Sequence, residues 1–235
     1  MNKVTGLKEG KNREKRINVY VDGKFAVNLL AEVVIKEGLK VGQELTTDQL
    51  ESLAVVDRYQ RCRNSAIRYL GYRQRSEDEV RQRLQRHGYD TECIEKTISG
   101  LKDKGLVDDT AFARFWKENH ESFSPRSRRL TALELRRKGL DSDIIEKVTG
   151  EMDDSESAYR AALGKARRLS LTDNVGFRRR LAGYLVRRGF GYDVVQETVN
   201  KIYRESGRPL ECLTGPRFGK AGLSLRATSK SHREF

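Results

Sequence analysis

Leu84-Gln85-Arg86-His87-Gly88-Tyr89, Leu135-Arg136-Arg137-Lys138-Gly139-Leu140 and Leu185-Val186-Arg187-Arg188-Gly189-Phe190 are three versions of one phrase, spaced 51 and then 50 residues apart. Taking each glycine as origin, a leucine stands four places before it and an arginine two places before it in every copy. The register continues downstream. Glu92, Asp143 and Asp193 lie four places on, Ile94, Ile145 and Val195 six, and Leu101, Met152 and Ile202 thirteen. A fixed period of about fifty residues marks tandem structural units.

Each phrase reads as a helix stopped by a glycine in the left-handed conformation, with arginine and lysine set against the negative end of the helix dipole. A second helix then opens with an acidic residue at its positive end, and its apolar positions at helical spacing face back onto the first. A third helix precedes each pair: Tyr59 to Leu70, then Thr110 to Asn119 with Phe112, Phe115 and Trp116, then Ser157 to Leu169 with Tyr159 and Leu163. Three helices are the least that enclose a core. Ser76-x-x-Glu79 is read as a capping box, Asp108-Asp109 as an N-cap, and Ser124-Pro125 as a helix start with proline in the first turn. The expected units span 57–107, 108–155 and 156–206.

Upstream, residues 1–56 read as a small lobe. Ile17, Val19 and Val21 alternate with polar positions up to Asp22-Gly23, beyond which come Phe25 and Val27, the pattern of a β-hairpin with a two-residue turn. Leu29 to Ile35 is expected to be a helix ended near Gly38, and Thr46-x-x-Gln49 a capping box for the next. Met1 to Arg16 is a polar, charged run. Residues 207–235, rich in Gly, Ser, Arg and Lys, lose the apolar period and are expected to be a basic disordered tail. The fold class is therefore all-α: three tandem three-helix repeats in an elongated molecule with a hairpin-and-helix lobe. Globules of fifty residues are about 25 Å across, so three in a row span roughly 75 Å.

The chain carries 34% charged residues, 3 prolines and a net charge of +13 in 235 residues. That excess attracts polyanions or acidic protein surfaces. Cys62, Cys93 and Cys212 are odd in number with no C-x-x-C spacing, which supports neither a disulfide framework nor a zinc ribbon and suits a reducing, cytoplasmic setting. The N-terminal run has no apolar core of a signal peptide, and no stretch approaches about eighteen apolar residues, so neither export nor membrane insertion is expected.

Chemistry is hard to place. Gly215-Pro216-Arg217-Phe218-Gly219-Lys220-Ala221 has too few residues between its glycines for a phosphate loop and alanine where that loop holds Ser or Thr. Gly189-Phe190-Gly191 lacks the third glycine and the preceding strand of a dinucleotide loop. Glu77, Asp78 and Glu79, and the pair Asp108 and Asp109, sit where helix N-termini favour negative charge. His87, His120 and His232 are dispersed. No nucleophile, base and orienter emerge, and no catalytic residue, cofactor, metal or small-molecule substrate is expected. Phe112, Phe115 and Trp116 are expected to be core rather than a base-stacking platform. The candidate partner-binding residues are the recurrent cations: Arg81, Arg83 and Arg86; Arg126, Arg128, Arg129, Arg136, Arg137 and Lys138; and Arg178, Arg179, Arg180, Arg187 and Arg188. Stacked units would align them into a stripe.

The block from Arg75-Ser76-Glu77-Asp78-Glu79-Val80-Arg81 through Leu84, Gly88-Tyr89 and Ile94 to Leu101, Gly105-Leu106-Val107-Asp108-Asp109 and Phe112-Ala113 resembles the RecX family of regulatory proteins. Leu135-Arg136-Arg137-Lys138-Gly139-Leu140 is similar to its central pattern, and Asp22-Gly23-Lys24-Phe25-Ala26 to an N-terminal extension of many members. The resemblance runs from about Arg16 to Ser206. It implies a curved helical protein lying in the groove of the RecA filament on single-stranded DNA, inhibiting strand exchange, ATP hydrolysis and coprotease action. The residues alone also admit direct DNA binding through the phosphate backbone. A monomer is expected.

Overall fold

The computed structural model describes residues 2–10, 15–169 and 173–206. The expected tail, with Gly215 to Ala221, Cys212 and His232, lies outside the described residues.

An antiparallel sheet opens the chain, built from β1 (Asn2–Glu9), β2 (Arg16–Val21), β3 (Lys24–Leu30) and β4 (Glu44–Leu45) in the order β3-β2-β1-β4. The β2–β3 hairpin turns at Asp22 (φ 49°) and Gly23 (φ 78°), both left-handed as the type I′ turn requires. Two expectations change. The polar run at the N-terminus is a strand, with Val4 fully buried, and Leu29 and Leu30 finish β3 so that helix α1 spans only Ala31–Lys36. The lobe buries Val4, Val19, Leu29, Val34 and Leu45 against Leu53 of α2 (Thr47–Leu70).

Helix α2 opens on the expected Thr46–Gln49 capping box and continues for 24 residues, so the expected lobe limit at 56/57 falls inside it. Its first half serves the lobe and its second half the first unit. Asp57, at the changeover, accepts the Leu30 N–H at 2.6 Å and pairs with Arg61 at 2.9 Å and Arg16 at 3.5 Å.

Three units follow. The first combines α2 with α3 (Glu77–Arg86) and α4 (Thr91–Lys102); the second is α5 (Asp109–Phe123), α6 (Arg128–Arg137) and α7 (Ser142–Thr149); the third is α8 (Asp154–Ala166), α9 (Asn174–Arg187) and α10 (Tyr192–Glu205). Each has its own core. Leu84 and Ile94 anchor one, Leu135 and Ile145 the next, Leu185 and Val195 the last, all at most 2% exposed. Gly88, Gly139 and Gly189 have φ of 78°, 78° and 86°, and in each turn the residue after the glycine donates its N–H to the leucine carbonyl five places back. That bond closes a Schellman turn.

The register loosens where one unit hands over to the next. Met152 lies beyond the end of α7, because Asp153 is already capping α8. Phe112 is core and Trp116 packs at its edge, but Phe115 stays 43% exposed, contrary to the expectation that all three are buried. Ser124-Pro125 does not start a helix: Ser127 caps α6, accepting the Leu130 N–H at 3.1 Å.

Candidate interaction surface

The units are joined by one arrangement used twice. Between the first and second, the Ser76 cap of α3 donates its hydroxyl to the Lys138 carbonyl at 2.7 Å, and the Glu77 N–H donates to Asp109 Oδ1 at 2.8 Å. Between the second and third, the Ser127 N–H donates to the Arg188 carbonyl at 3.0 Å, and the Arg128 N–H donates to Asp154 Oδ1 at 2.7 Å. In both, the N-terminus of a middle helix is seated on the glycine turn of the next middle helix and capped by an acid from the helix before it. Both caps are fully buried serines.

This joint consumes several of the candidate cations. Lys138 Nζ lies 2.5 Å from Glu79 Oε1 and 5.2 Å from the centre of the Trp116 ring. Arg188 donates to Ser124 Oγ and the Pro125 carbonyl, both at 2.8 Å, and stacks on Tyr184. Inside the second unit, Arg126 pairs with Glu134, whose carboxylate also accepts from Trp116 Nε1 at 3.2 Å. Within units, Arg81 bridges Glu77 (2.7 Å) and Glu95 (2.9 Å), while Arg178 reaches Asn200 at 2.5 Å and stacks on Tyr203. Arg83 lies over Tyr69, and Arg180 is 3.3 Å from Asp173.

Charge states follow from these partners. Burial works against ionising Glu79, but hydrogen bonds from Arg73 and Lys138 outweigh it and hold the carboxyl below its ordinary value. Glu77 behaves alike, with Lys102 and Arg81 as donors. Burial pushes Asp109 up. It also holds His120 down to about 4, with Arg126 and Arg188 adding repulsion. Although Glu134 Oε2 is 3.4 Å from His120 Nε2, that carboxylate is already engaged by Arg126 and Trp116 and does not rescue the imidazolium.

The remaining candidates are exposed. Arg86 makes only a 3.2 Å bond to the Gln82 carbonyl, and Arg128, Arg129, Arg136, Arg137, Arg179 and Arg187 have no side-chain partner among the described residues. Arg86, Arg137 and Arg187 are the same position in three successive units, each in the last turn of a middle helix. Arg128, Arg129 and Arg136 border a groove of about 520 Å³ beside α6 and α7, with Glu146 and Asp154 also in its lining. Basic character differs between units, since α3 opens with Glu77, Asp78 and Glu79 where α6 has Arg128, Arg129 and Leu130. Recurrence in sequence did not separate exposed from consumed arginines; for Arg81 the signal was Glu77 four residues earlier on the same helix face.

A second concavity, of about 990 Å³, lies between the lobe and the first unit. Lys15, Lys36, Arg61 and Arg68 border it together with Glu32, and His87 and Tyr89 stand at its edge. No recurrence in the sequence marks it, although Arg61 and Arg68 are seven residues apart on one face of α2. Among the described residues no group of His, Cys, Asp and Glu side chains could hold a metal ion, and no helix is long and apolar enough to cross a membrane.

Four family models match along the chain: the regulatory protein RecX N-terminal domain over 2–46, and the first, second and third RecX three-helix domains over 62–101, 108–148 and 153–199. The regulatory protein RecX of Clostridium botulinum strain Eklund 17B is 31% identical over 207 residues, covering 86% of this chain and 96% of its own. That of Bacillus licheniformis is 28% identical over 209 residues, 86% of this chain and 78% of the relative. A crystal structure of regulatory protein RecX superposes with a TM-score of 0.64 at 23% identity, over 85% of this chain and all of the other. RecX from Lactobacillus salivarius superposes at 0.54 and 24% identity, over 63% and 97%. With the fold and the three-unit register in agreement, this chain belongs to the RecX family of regulatory proteins.

Proposed function

We propose that the chain is a non-catalytic regulator that binds the RecA nucleoprotein filament on single-stranded DNA and inhibits its recombinase, ATPase and coprotease activities, by blocking extension or by destabilising the filament. The reading rests on family membership and is carried by one observation: Arg86, Arg137 and Arg187 repeat at one exposed position through three linked units. A row of regularly spaced cations suits a partner that is itself a repeating polymer with acidic or phosphate surface. The protein acts as a cytoplasmic monomer without cofactor. The absence of a nucleophile, base and orienter set in the sequence supports a binding role.

The groove at Arg128, Arg129 and Arg136 favours a second reading, direct binding to the DNA phosphate backbone. The two readings differ in what they need. Filament regulation requires RecA, whereas direct binding gives tight association with bare DNA and a salt slope of about −0.9 per phosphate contacted on duplex. The deciding experiment follows ATP hydrolysis by RecA on single-stranded DNA with substoichiometric amounts of this protein. Inhibition at those ratios is expected, and none would overturn the filament reading.

A further inference from the structure

The joint between units is a docking rule written twice in this molecule, and the first unit presents its receiving half with no giver among the described residues. A Cβ built on Gly139 would lie 2.3 Å from Asp78 Cβ, and one on Gly189 would lie 2.6 Å from Ser127 Oγ and 2.7 Å from Leu130 Cβ. Each of those turns is covered by the N-terminus of the preceding middle helix. Gly88 has the same backbone conformation and the same closing hydrogen bond, yet among the described residues nothing comes within 4 Å of its Cβ position. The lobe precedes the first unit in the chain, and between them lies the 990 Å³ cleft with His87 and Tyr89 in its lining.

We infer that this cleft and the Gly88 turn form a docking site for an acidic, serine-capped helix N-terminus presented by a partner protein. The serine cap of the occupant is read from both filled joints, and its acidic first turn from the one at Gly139, since α6 opens with Arg128 and Arg129. At Gly139 the docked helix begins Ser76-Glu77-Asp78-Glu79, its serine reaches the carbonyl before the glycine, and its Glu79 carboxylate meets a lysine at 2.5 Å. The cleft is bordered by Lys15, Lys36, Arg61 and Arg68 against Glu32 in its lining, a cationic setting matched to carboxylates in a helix's first turn. Arg61 is held by buried Asp57, so the exposed Lys15, Lys36 and Arg68 are the cations left to meet the guest. A second copy of this chain is a poor giver, because its uncovered middle helix α9 is capped by Asp173, whose carboxylate has no hydroxyl to donate, and has no acid in its first turn. The occupant is therefore a helix of another protein, and the inference holds whichever protein that is.

The probe is a fluorescein-labelled, helix-stapled peptide with the sequence of residues 76–86 of this chain, titrated against the full chain by fluorescence anisotropy without RecA or DNA. Saturable binding is expected, weakened about tenfold or more in the Lys36→Glu/Arg68→Glu protein and equally by Glu77→Gln, Asp78→Asn and Glu79→Gln in the peptide. Both protein substitutions are at exposed positions, and circular dichroism of the variant checks its helicity. Absence of saturable binding, or unchanged affinity in the charge-reversed protein, would overturn the proposal. So would a short oligothymidylate that displaces the peptide and itself loses binding in the same variant, since the cleft would then be a nucleic-acid site.

Discussion

Ser76 Oγ donates a hydrogen bond to the main-chain carbonyl of Lys138 at 2.7 Å, across a gap of 62 residues, while accepting one from the N–H of Glu79 at 3.2 Å. One hydroxyl thus caps a helix in the first unit and satisfies the end of a helix in the second. Glu79, which the sequence pattern assigns to the reciprocal half of a capping box, instead pairs with Lys138 and with Arg73 at 2.9 Å. The capping signature is therefore half local and half an inter-unit contact.

Replacing Ser76 with alanine removes an N-cap acceptor and leaves a part-buried carbonyl without this donor, a loss of about 1–3 kcal/mol. Chemical denaturation measures it. Amide hydrogen exchange adds a second readout: protection should fall in both α3 and the last turn of α6, whereas a purely local cap would affect α3 alone.

The three landmark glycines should not be equivalent. Gly88→Ala meets only an unfavourable left-handed backbone and should cost about 1 kcal/mol. Gly139→Ala and Gly189→Ala add a side chain into the preceding helix, at 2.3 Å from Asp78 Cβ and 2.6 Å from Ser127 Oγ, and should lose more. Equal melting temperatures for the three variants would contradict the joint.

Acidification should act through His120. Its folded value of about 4 lies below the ordinary 6.5, so the unfolded chain takes up a proton first as pH falls. Stability is full above about pH 6.5 and declines toward pH 4, by up to about 3 kcal/mol from this group. Glu77 and Glu79, held below their ordinary value, add a further loss once the pH drops through the carboxylate range. Asp109, raised by burial, works the other way and is easier to accommodate in acid. In His120→Gln, urea midpoints between pH 6.5 and 5 should become nearly flat.

Asp57 ties the lobe to the first unit. Asp57→Ala strips the Leu30 N–H of its acceptor and Arg61 of its partner in a site only 2% exposed, and should cost about 3 kcal/mol or more. Limited proteolysis should then cut within 2–46 before the helical units open.

The helical units were legible because their signals are local: a left-handed turn selects glycine, a helix N-terminus selects serine or aspartate, and Leu84, Leu135 and Leu185 keep one register in three cores. Strand β1 was not. A bulge between Val4 and Gly6 breaks the two-residue alternation, so its apolar residues Val4 and Leu7 fall out of period. The candidate surface was half legible. Sequence shows where cations recur, but whether Arg126, Arg178 or Arg188 is already spoken for depends on Glu134, on Asn200 and Tyr203, and on Ser124 and Pro125, and Arg188 meets its partners across more than sixty residues. The joint itself was invisible, because two of its acceptors are main-chain carbonyls that any residue provides and the other two, Asp109 and Asp154, are ordinary first-turn acids of their own helices.

The most direct measurement compares two variants for binding to RecA-coated single-stranded DNA. One removes the exposed cations, Arg86→Gln with Arg137→Gln and Arg187→Gln, and the other the consumed ones, Arg81→Gln with Arg178→Gln. The proposed role predicts that the first loses about tenfold or more in affinity at unchanged melting temperature, while the second melts lower and, once folded, binds as the parent does. Parent-like binding by the first variant would contradict the account.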